Sequence, residues 1–316
     1  MQSKGWPPVA VVGAGAVGCY FGGMLARAGV PVTLIGRAPH MEAIARDGLL
    51  LDRLQILERI PVRATADLKE GLRDAAVVLF CVKTTATESA AREMEPFLAP
   101  DAAVLSLQNG VDNVDRIHSA TGRYAVPVAV YVAAEMTAPG RVTHAGRGDL
   151  VMGHRSGWPS TRDLQPLAAM FERASVPCRI SPSIEIELWT KMTMNCAYNA
   201  LSALTRSQYG RIMQFQPVRS LGQQAIEETV AVARAEGIPL SAPALVEAAI
   251  ELGQKMSGAT SSTSQDILRG RPTEIDSLNG YIARRGAALG IATPVSDALY
   301  ALVKLLEEAA IGRKSD

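Results

Sequence analysis

Two patterns of apolar positions divide this chain. In its first half short unbroken runs dominate, at residues 9–12, 31–35, 75–82 (AAVVLFCV) and 102–107. Runs of this length, bounded by glycine, proline or polar residues, predict strands buried on both faces, as in a parallel sheet. Helical periodicity lies between them, from Gly18 to about Arg27 and over residues 40–46. Residues 49–57 and 60–62 read as further strands. Later strands are expected at 124–134, 140–144 and 150–153, the last ones antiparallel. A helix at 160–175 and a short strand at 176–180 follow. From Ser183 onward the period is helical, over residues 189–205, 216–236, 242–256 and 274–289, with a Gly/Ser/Thr loop at 257–264. A final helix starts at Thr293-Pro294, with threonine as cap and proline in the first position.

The first strand runs directly into Gly13, Gly15 and Gly18, in the form G-x-G-x-x-G, and the second strand follows the helix. In a β-α-β unit of about 30 residues this spacing is a dinucleotide signature. Gly13 allows the tight turn, Gly15 the approach of a pyrophosphate, and Gly18 close helix–strand packing. Ala14, Ala16 and Val17 complete the predicted phosphate loop, and the helix N-terminus offers N–H groups to the anion. A site for NAD would place a carboxylate at the end of the second strand. Here that strand ends Leu34-Ile35-Gly36-Arg37. Arg37 suits the 2′-phosphate of NADP(H), since its planar fork pairs with phosphate; the alternative is a solvated loop residue. Lys83 and Asn109 follow the third and fourth apolar strands. In open α/β sheets those strand ends face the ligand, so both are candidate cofactor contacts, and Asn109 a substrate contact as well. A plain turn is the other reading of Lys83 and of Asn109-Gly110. The expected fold class is α/β: an N-terminal Rossmann-type dinucleotide-binding domain, residues 1-182, followed by an all-α C-terminal domain, residues 183-316, joined at Ser181-Pro182-Ser183.

Composition narrows the classes. Of 316 residues 48% are hydrophobic and 20% charged, with a net charge of +1. That balance gives no electrostatic footprint for nucleic acid or a membrane surface. Cys19, Cys81, Cys178 and Cys196 are dispersed, as are the four histidines, so no usual zinc spacing exists and free thiols are expected. The uncharged stretch from Gly5 to Ala26 is broken by glycines and is already explained by the nucleotide fold, which argues against a signal peptide and for a cytoplasmic protein.

The helical half carries one unusual feature. Lys191, Asn195 and Asn199 recur every fourth residue within WTKMTMNCAYNALSALT. That spacing puts them in one row on a helix whose other faces are apolar. An amine and two amides in such a setting need partners, either a substrate or hydrogen bonds within the core. Ser262 with Gln265, and Thr273 with Asp276, fit helix capping boxes, with Glu274 as a first-turn acid.

Taken together, GAGAVG at residues 13–18, Arg37, CVKT at 81–84, QNG at 108–110, the K-x-x-x-N-x-x-x-N row and SSTSQDILRGRPTEID at 261–276 resemble the ketopantoate reductase (2-dehydropantoate 2-reductase) family over nearly the whole chain. The resemblance implies NADPH-dependent reduction of 2-dehydropantoate to pantoate, in pantothenate biosynthesis. It makes Lys191 the general acid, Asn195 and Asn199 substrate-positioning residues, and Ser262 and Glu274 substrate contacts, with Asn109 near both nicotinamide and substrate. Tyr198 departs from the aliphatic residue more usual there, and would re-aim the pocket if it faced it. The alternatives are a paralogue acting on another small 2-oxo acid or carbonyl compound and, less favoured, a non-catalytic NADP-binding sensor. The stripe Val295, Leu299, Leu302, Val303 and Leu306 on the last helix packs internally or pairs two copies as a homodimer; the pattern leaves both open.

Overall fold

The computed structural model describes residues 5–160 and 162–312. The chain divides into two compact units, with the division after Glu187.

The first unit opens with β1 (Val9–Val12), α1 (Ala16–Arg27), β2 (Val32–Ile35) and α2 (Ala38–Asp47). Then come β3 (Leu49–Arg53), β4 (Ile56–Ile60), β5 (Arg63–Thr65), α3 (Leu68–Leu72), β6 (Val77–Phe80), α4 (Thr87–Met94), β7 (Ala103–Ser106) and α5 (Asn113–Thr121). It is completed by β8 (Val126–Ala138), β9 (Arg141–Met152), α6 (Gln165–Arg173) and β10 (Cys178–Ile180). The strands form one sheet in the order β4-β3-β9-β8-β7-β6-β1-β2-β5, with β10 paired to β9. From β5 to β8 every pairing is parallel. β1, β6 and β7 are buried at every residue, as their unbroken apolar runs require.

Register matters most for function. Val12 stands beside Ile35 and Phe80, and Phe80 beside Ser106. Four central strands therefore end level, and the segments that follow them leave from one edge of the sheet.

Two expectations about strands are corrected. Residues 49–57 are not one strand but a hairpin, because Leu54 and Gln55 take positive φ (49° and 71°) and reverse the chain. Two-residue hairpin turns need that geometry but usually recruit glycine or asparagine for it, so this sequence gives no turn signal. Residues 140–144 and 150–153 are not two strands but parts of β9, whose antiparallel pairing with β8 is interrupted by register shifts. Such shifts spoil the period-2 alternation that strand reading relies on.

Beyond β10 the described residues form only helices: α7 (Ile184–Thr205), α8 (Tyr209–Gln214), α9 (Gln216–Ala235), α10 (Ala242–Lys255), α11 (Ser262–Leu268), α12 (Asn279–Leu289) and α13 (Pro294–Gly312), with a 3₁₀ turn at Ile275–Ser277. The loop expected at 257–264 gives way to α11 at Ser262, and the short α8 lies in a stretch for which no element was read. The helix expected from residue 274 starts five residues later. α13 begins at Pro294, and its first N–H groups are capped by the Glu228 carboxylate of α9, which accepts from Val295 and Ser296 (both 2.8 Å). The apolar stripe on α13 splits. Leu299 and Val303 are buried, whereas Leu302 is 52% exposed. No helix among the described residues is long and apolar enough to cross a membrane.

Candidate functional site

In the first unit the candidate residues lie at the shared strand edge. Gly13 leaves β1 at φ +89°. A Cβ there would stand 2.6 Å from the Val82 nitrogen and 2.8 Å from the Cys81 carbonyl carbon. The Gly13 and Ala14 N–H groups both donate to the Ile35 carbonyl (3.1 and 2.9 Å), which ties the loop to the end of β2. Gly15 is the N-cap of α1, and a Cβ on it would meet no atom within 4 Å. Its open flank lies beside the N–H groups of Ala16, Val17 and Gly18, which precede the first i→i−4 bond of the helix. Open space next to unspent donors fits a pyrophosphate. At Gly18 a Cβ would stand 2.7 Å from the Gly13 carbonyl oxygen and 2.8 Å from Val11 Cγ1, so α1 packs against the strand as the motif requires. The thiol of Cys19, buried beside this loop, donates to the Ala14 carbonyl (3.3 Å). Burial pushes it up to about 12, so it stays protonated and is no nucleophile.

Arg37, exposed, follows β2 and is the N-cap residue of α2. Lys83, also exposed, follows β6, and half-buried Asn109 follows β7. Gln108 differs from its neighbour. Its side chain turns inward, donates to the Val82 carbonyl (3.1 Å) and Thr87 Oγ1 (2.8 Å), and accepts from Ser106 Oγ (2.8 Å). Thr87 passes the chain on to Asn113 Oδ1 (3.1 Å), and Asn113 Nδ2 donates to the Asn109 carbonyl (2.5 Å). Arg116 of α5 closes the set. It donates to the Thr84 carbonyl (2.8 Å) and grips Glu88 with two bonds of 2.7 Å, which hold that carboxyl below its usual range. The loops carrying Lys83 and Asn109 are thus fixed by a buried polar chain from Ser106 to Asn113, with the part-buried Arg116–Glu88 pair beside it. Ser106, Thr87, Asn113 and Arg116 were not singled out from the sequence, because their partners lie up to 32 residues away.

In the second unit α7 carries the whole Lys191, Asn195 and Asn199 row. Lys191 and Asn195 are half-buried and Asn199 is 3% exposed. Trp189, Met192, Thr193, Cys196, Ala197 and Leu201 around them are buried. Ser262 is the exposed first residue of α11, and the capping residue is Ser261, whose Oγ accepts from the Ser264 N–H (3.0 Å). The expected Ser262 box is therefore shifted by one residue, which leaves the Ser262 hydroxyl uncommitted to that cap. The same Ser261 Oγ donates to the Asn199 carbonyl (3.1 Å). Thr273 does not form the expected box with Asp276; its Oγ1 accepts instead from the Ile275 N–H (3.3 Å). Its N–H and hydroxyl both donate to Glu307 Oε2 of α13 (2.7 and 2.6 Å), which holds the turn carrying half-buried Glu274.

Tyr198 is a core residue of this unit. Its ring stacks on Tyr209 (centroids 4.3 Å), and its hydroxyl donates to the Ala249 carbonyl (2.6 Å), in room left by Gly253. Tyr198→Phe should lower stability by about 1 kcal/mol, the worth of one such bond, and leave substrate KM unchanged. A changed KM with unchanged melting would return Tyr198 to the pocket.

Among the described residues no group of three or more His, Cys, Asp or Glu side chains is disposed to hold a metal.

Comparison with known proteins gives matches along both units. A family model described as ketopantoate reductase PanE/ApbA matches residues 9–157, and one for its C-terminal part matches residues 183–307. A 2-dehydropantoate 2-reductase from Halobacterium salinarum is 32% identical over 302 residues, covering 95% of this chain and 98% of that protein. The crystal structure of a PanE/ApbA family ketopantoate reductase from Ralstonia eutropha JMP134 is 46% identical, with a TM-score of 0.89 over 96% of this chain and 99% of that one. D-mandelate dehydrogenase, solved with NADH and anilino(oxo)acetate, also reaches a TM-score of 0.89, at 25% identity and the same coverage.

Proposed function

Since the chain belongs to the ketopantoate reductase PanE/ApbA family of oxidoreductases, we propose that it reduces the ketone of 2-dehydropantoate to pantoate with NADPH. The observation that carries this reading is the row of Lys191, Asn195 and Asn199 on one helix, with the Ser262 segment hydrogen-bonded against its end. A reduced nicotinamide, bound at the Gly13–Gly18 loop, supplies the hydride. Lys191 Nζ delivers a proton to the substrate's carbonyl oxygen as negative charge develops there. Asn195 and Asn199 orient the substrate, and Ser262 and Glu274 hold its polar groups. Asn109, Lys83 and Arg37 contact the cofactor, Arg37 through the 2′-phosphate.

A second reading keeps this chemistry and changes the substrate. The match to D-mandelate dehydrogenase supports reduction of another small 2-oxo acid, and that protein's NADH leaves the cofactor to be measured too.

The experiment is NADPH oxidation followed at 340 nm with 2-dehydropantoate, pyruvate, 2-oxoisovalerate and phenylglyoxylate, repeated with NADH. Fast turnover with 2-dehydropantoate and NADPH supports the first reading. Preference for another oxo acid supports the second. Arg37→Gln should lower kcat/KM for NADPH about 10- to 100-fold, the worth of hydrogen bonds to a charged group, and leave NADH unaffected. Equal losses with both cofactors would remove Arg37 from the 2′-phosphate.

A further inference from the structure

The row on α7 is touched by two side chains that belong to neither its chemistry nor the apolar core. Ser261 Oγ donates to the Asn199 carbonyl (3.1 Å), and Asn279 Nδ2 donates to the Cys196 carbonyl (3.2 Å). Both acceptors are main-chain groups within a helix, so each donor adds to the helical bond rather than replacing it. The two contacts fall within one turn of each other, on the part of α7 that carries Asn195 and Asn199. Ser261 immediately precedes Ser262, and Asn279 opens α12 just after the 3₁₀ turn that follows Glu274.

The burial of these donors argues for a purpose. Ser261 is 1% exposed and Asn279 0%. Asn279 Oδ1 is buried with no hydrogen-bond partner. An unpaired buried acceptor is destabilising, and an apolar residue would avoid it. What the amide supplies in return is its Nδ2 contact with α7. Ser261 is tied down at three points. Besides the Asn199 carbonyl and the Ser264 N–H, its own N–H donates to Ser202 Oγ (3.2 Å), also on α7. The start of α11 therefore has one register against α7.

We propose that Ser261 and Asn279 are positioning residues that fix the Ser262 and Glu274 segments in register with the polar row of α7. The proposal rests on the reading of Ser262 and Glu274 as substrate contacts. A small oxo acid is gripped from several segments at once, and displacement by a fraction of an ångström weakens every contact. Neither residue touches substrate in this scheme; each acts through its neighbour.

The test uses the full chain with 2-dehydropantoate and NADPH. Ser261→Ala and Asn279→Ser should each raise KM for the oxo acid by about 3- to 10-fold, a neutral hydrogen bond's worth. Affinity for NADPH, read by fluorescence titration, should not change, because the nucleotide loop belongs to the other unit. Ser261→Thr keeps the hydroxyl and should restore KM. Ser262→Ala and Glu274→Ala are run beside them. If those two raise KM and Ser261→Ala and Asn279→Ser do not, the proposal is overturned. Failure of Ser261→Thr to restore KM also overturns it, since packing rather than the donor would then be at work. If Ser262→Ala and Glu274→Ala leave KM unchanged, the substrate reading fails first and the proposal falls with it. Should Asn279→Ser unfold, Ser261→Ala with its threonine rescue decides alone.

Discussion

Lys191→Ala should lower kcat by about 10²–10⁴-fold, the range that general acid catalysis contributes, and leave NADPH affinity and the melting temperature near those of the parent. Hydride addition to a ketone leaves an alkoxide, a far stronger base than any group around it, so a proton must arrive with the hydride or soon after. Water is a weak acid, whereas a protonated amine is a far stronger one. Lys191 is half-buried on a well-packed helix, so its loss trims a stem without opening the core. Lys191→Arg keeps the charge but replaces the amine with a group that does not release its proton in proteins; it should recover substrate binding more than turnover. Steady-state kinetics, a fluorescence titration with NADPH and calorimetry are the three measurements. Turnover near the parent value in Lys191→Ala would assign the proton to another donor.

The second large effect separates two glycines two residues apart. Gly13→Ala should destabilise the protein by about 2–5 kcal/mol. Holding an L-residue in the left-handed region costs roughly 1–2 kcal/mol. Forcing a methyl group into a filled site costs roughly 1–3 more. Here the obstructing atoms are backbone, at 2.6 and 2.8 Å, and cannot swing aside. The melting temperature should fall by about 4–20 °C, at roughly 2–4 °C per kcal/mol for a unit of this size. Gly15→Ala should melt like the parent, since its φ of −84° suits alanine and its Cβ would enter open space. What it should lose is the nucleotide, by tenfold or more, because that space is where a pyrophosphate would lie. Tight NADPH binding by Gly15→Ala would move the pyrophosphate elsewhere, and an unchanged melting point in Gly13→Ala would refute the steric account.

These outcomes depend on features of unequal visibility in the sequence. The β-α-β unit was plain, because Val9–Val12 and the three glycines carry local signals at fixed spacing. The α7 row was plain for the same reason, being periodic. The caps were legible only to within a residue. Ser261 and Ser262 are chemically identical, and only the fold decides which hydroxyl turns back on the helix. The Leu54-Gln55 turn was invisible, since neither residue advertises positive φ. Tyr198 could not be assigned to pocket or core without knowing that Ala249 and Gly253 lie over it. The longest-range relations were the least visible. Nothing in Thr87 or Asn113 points to Gln108, and nothing in Glu307 points to Thr273.

The network from Ser106 through Gln108 and Thr87 to Asn113 also bears on how this protein can change over generations. Each of its bonds joins groups at a set separation along the chain. An insertion or deletion between Val82 and Asn113 would strand a buried amide or hydroxyl, and every such orphan weakens the fold. The segments that carry these groups are therefore constrained in length. Their exposed positions, such as Thr85, Ser89, Arg92 and Glu93, can drift in identity at little expense. Divergence here is thus steered away from lengthening these loops and toward single replacements at their exposed positions.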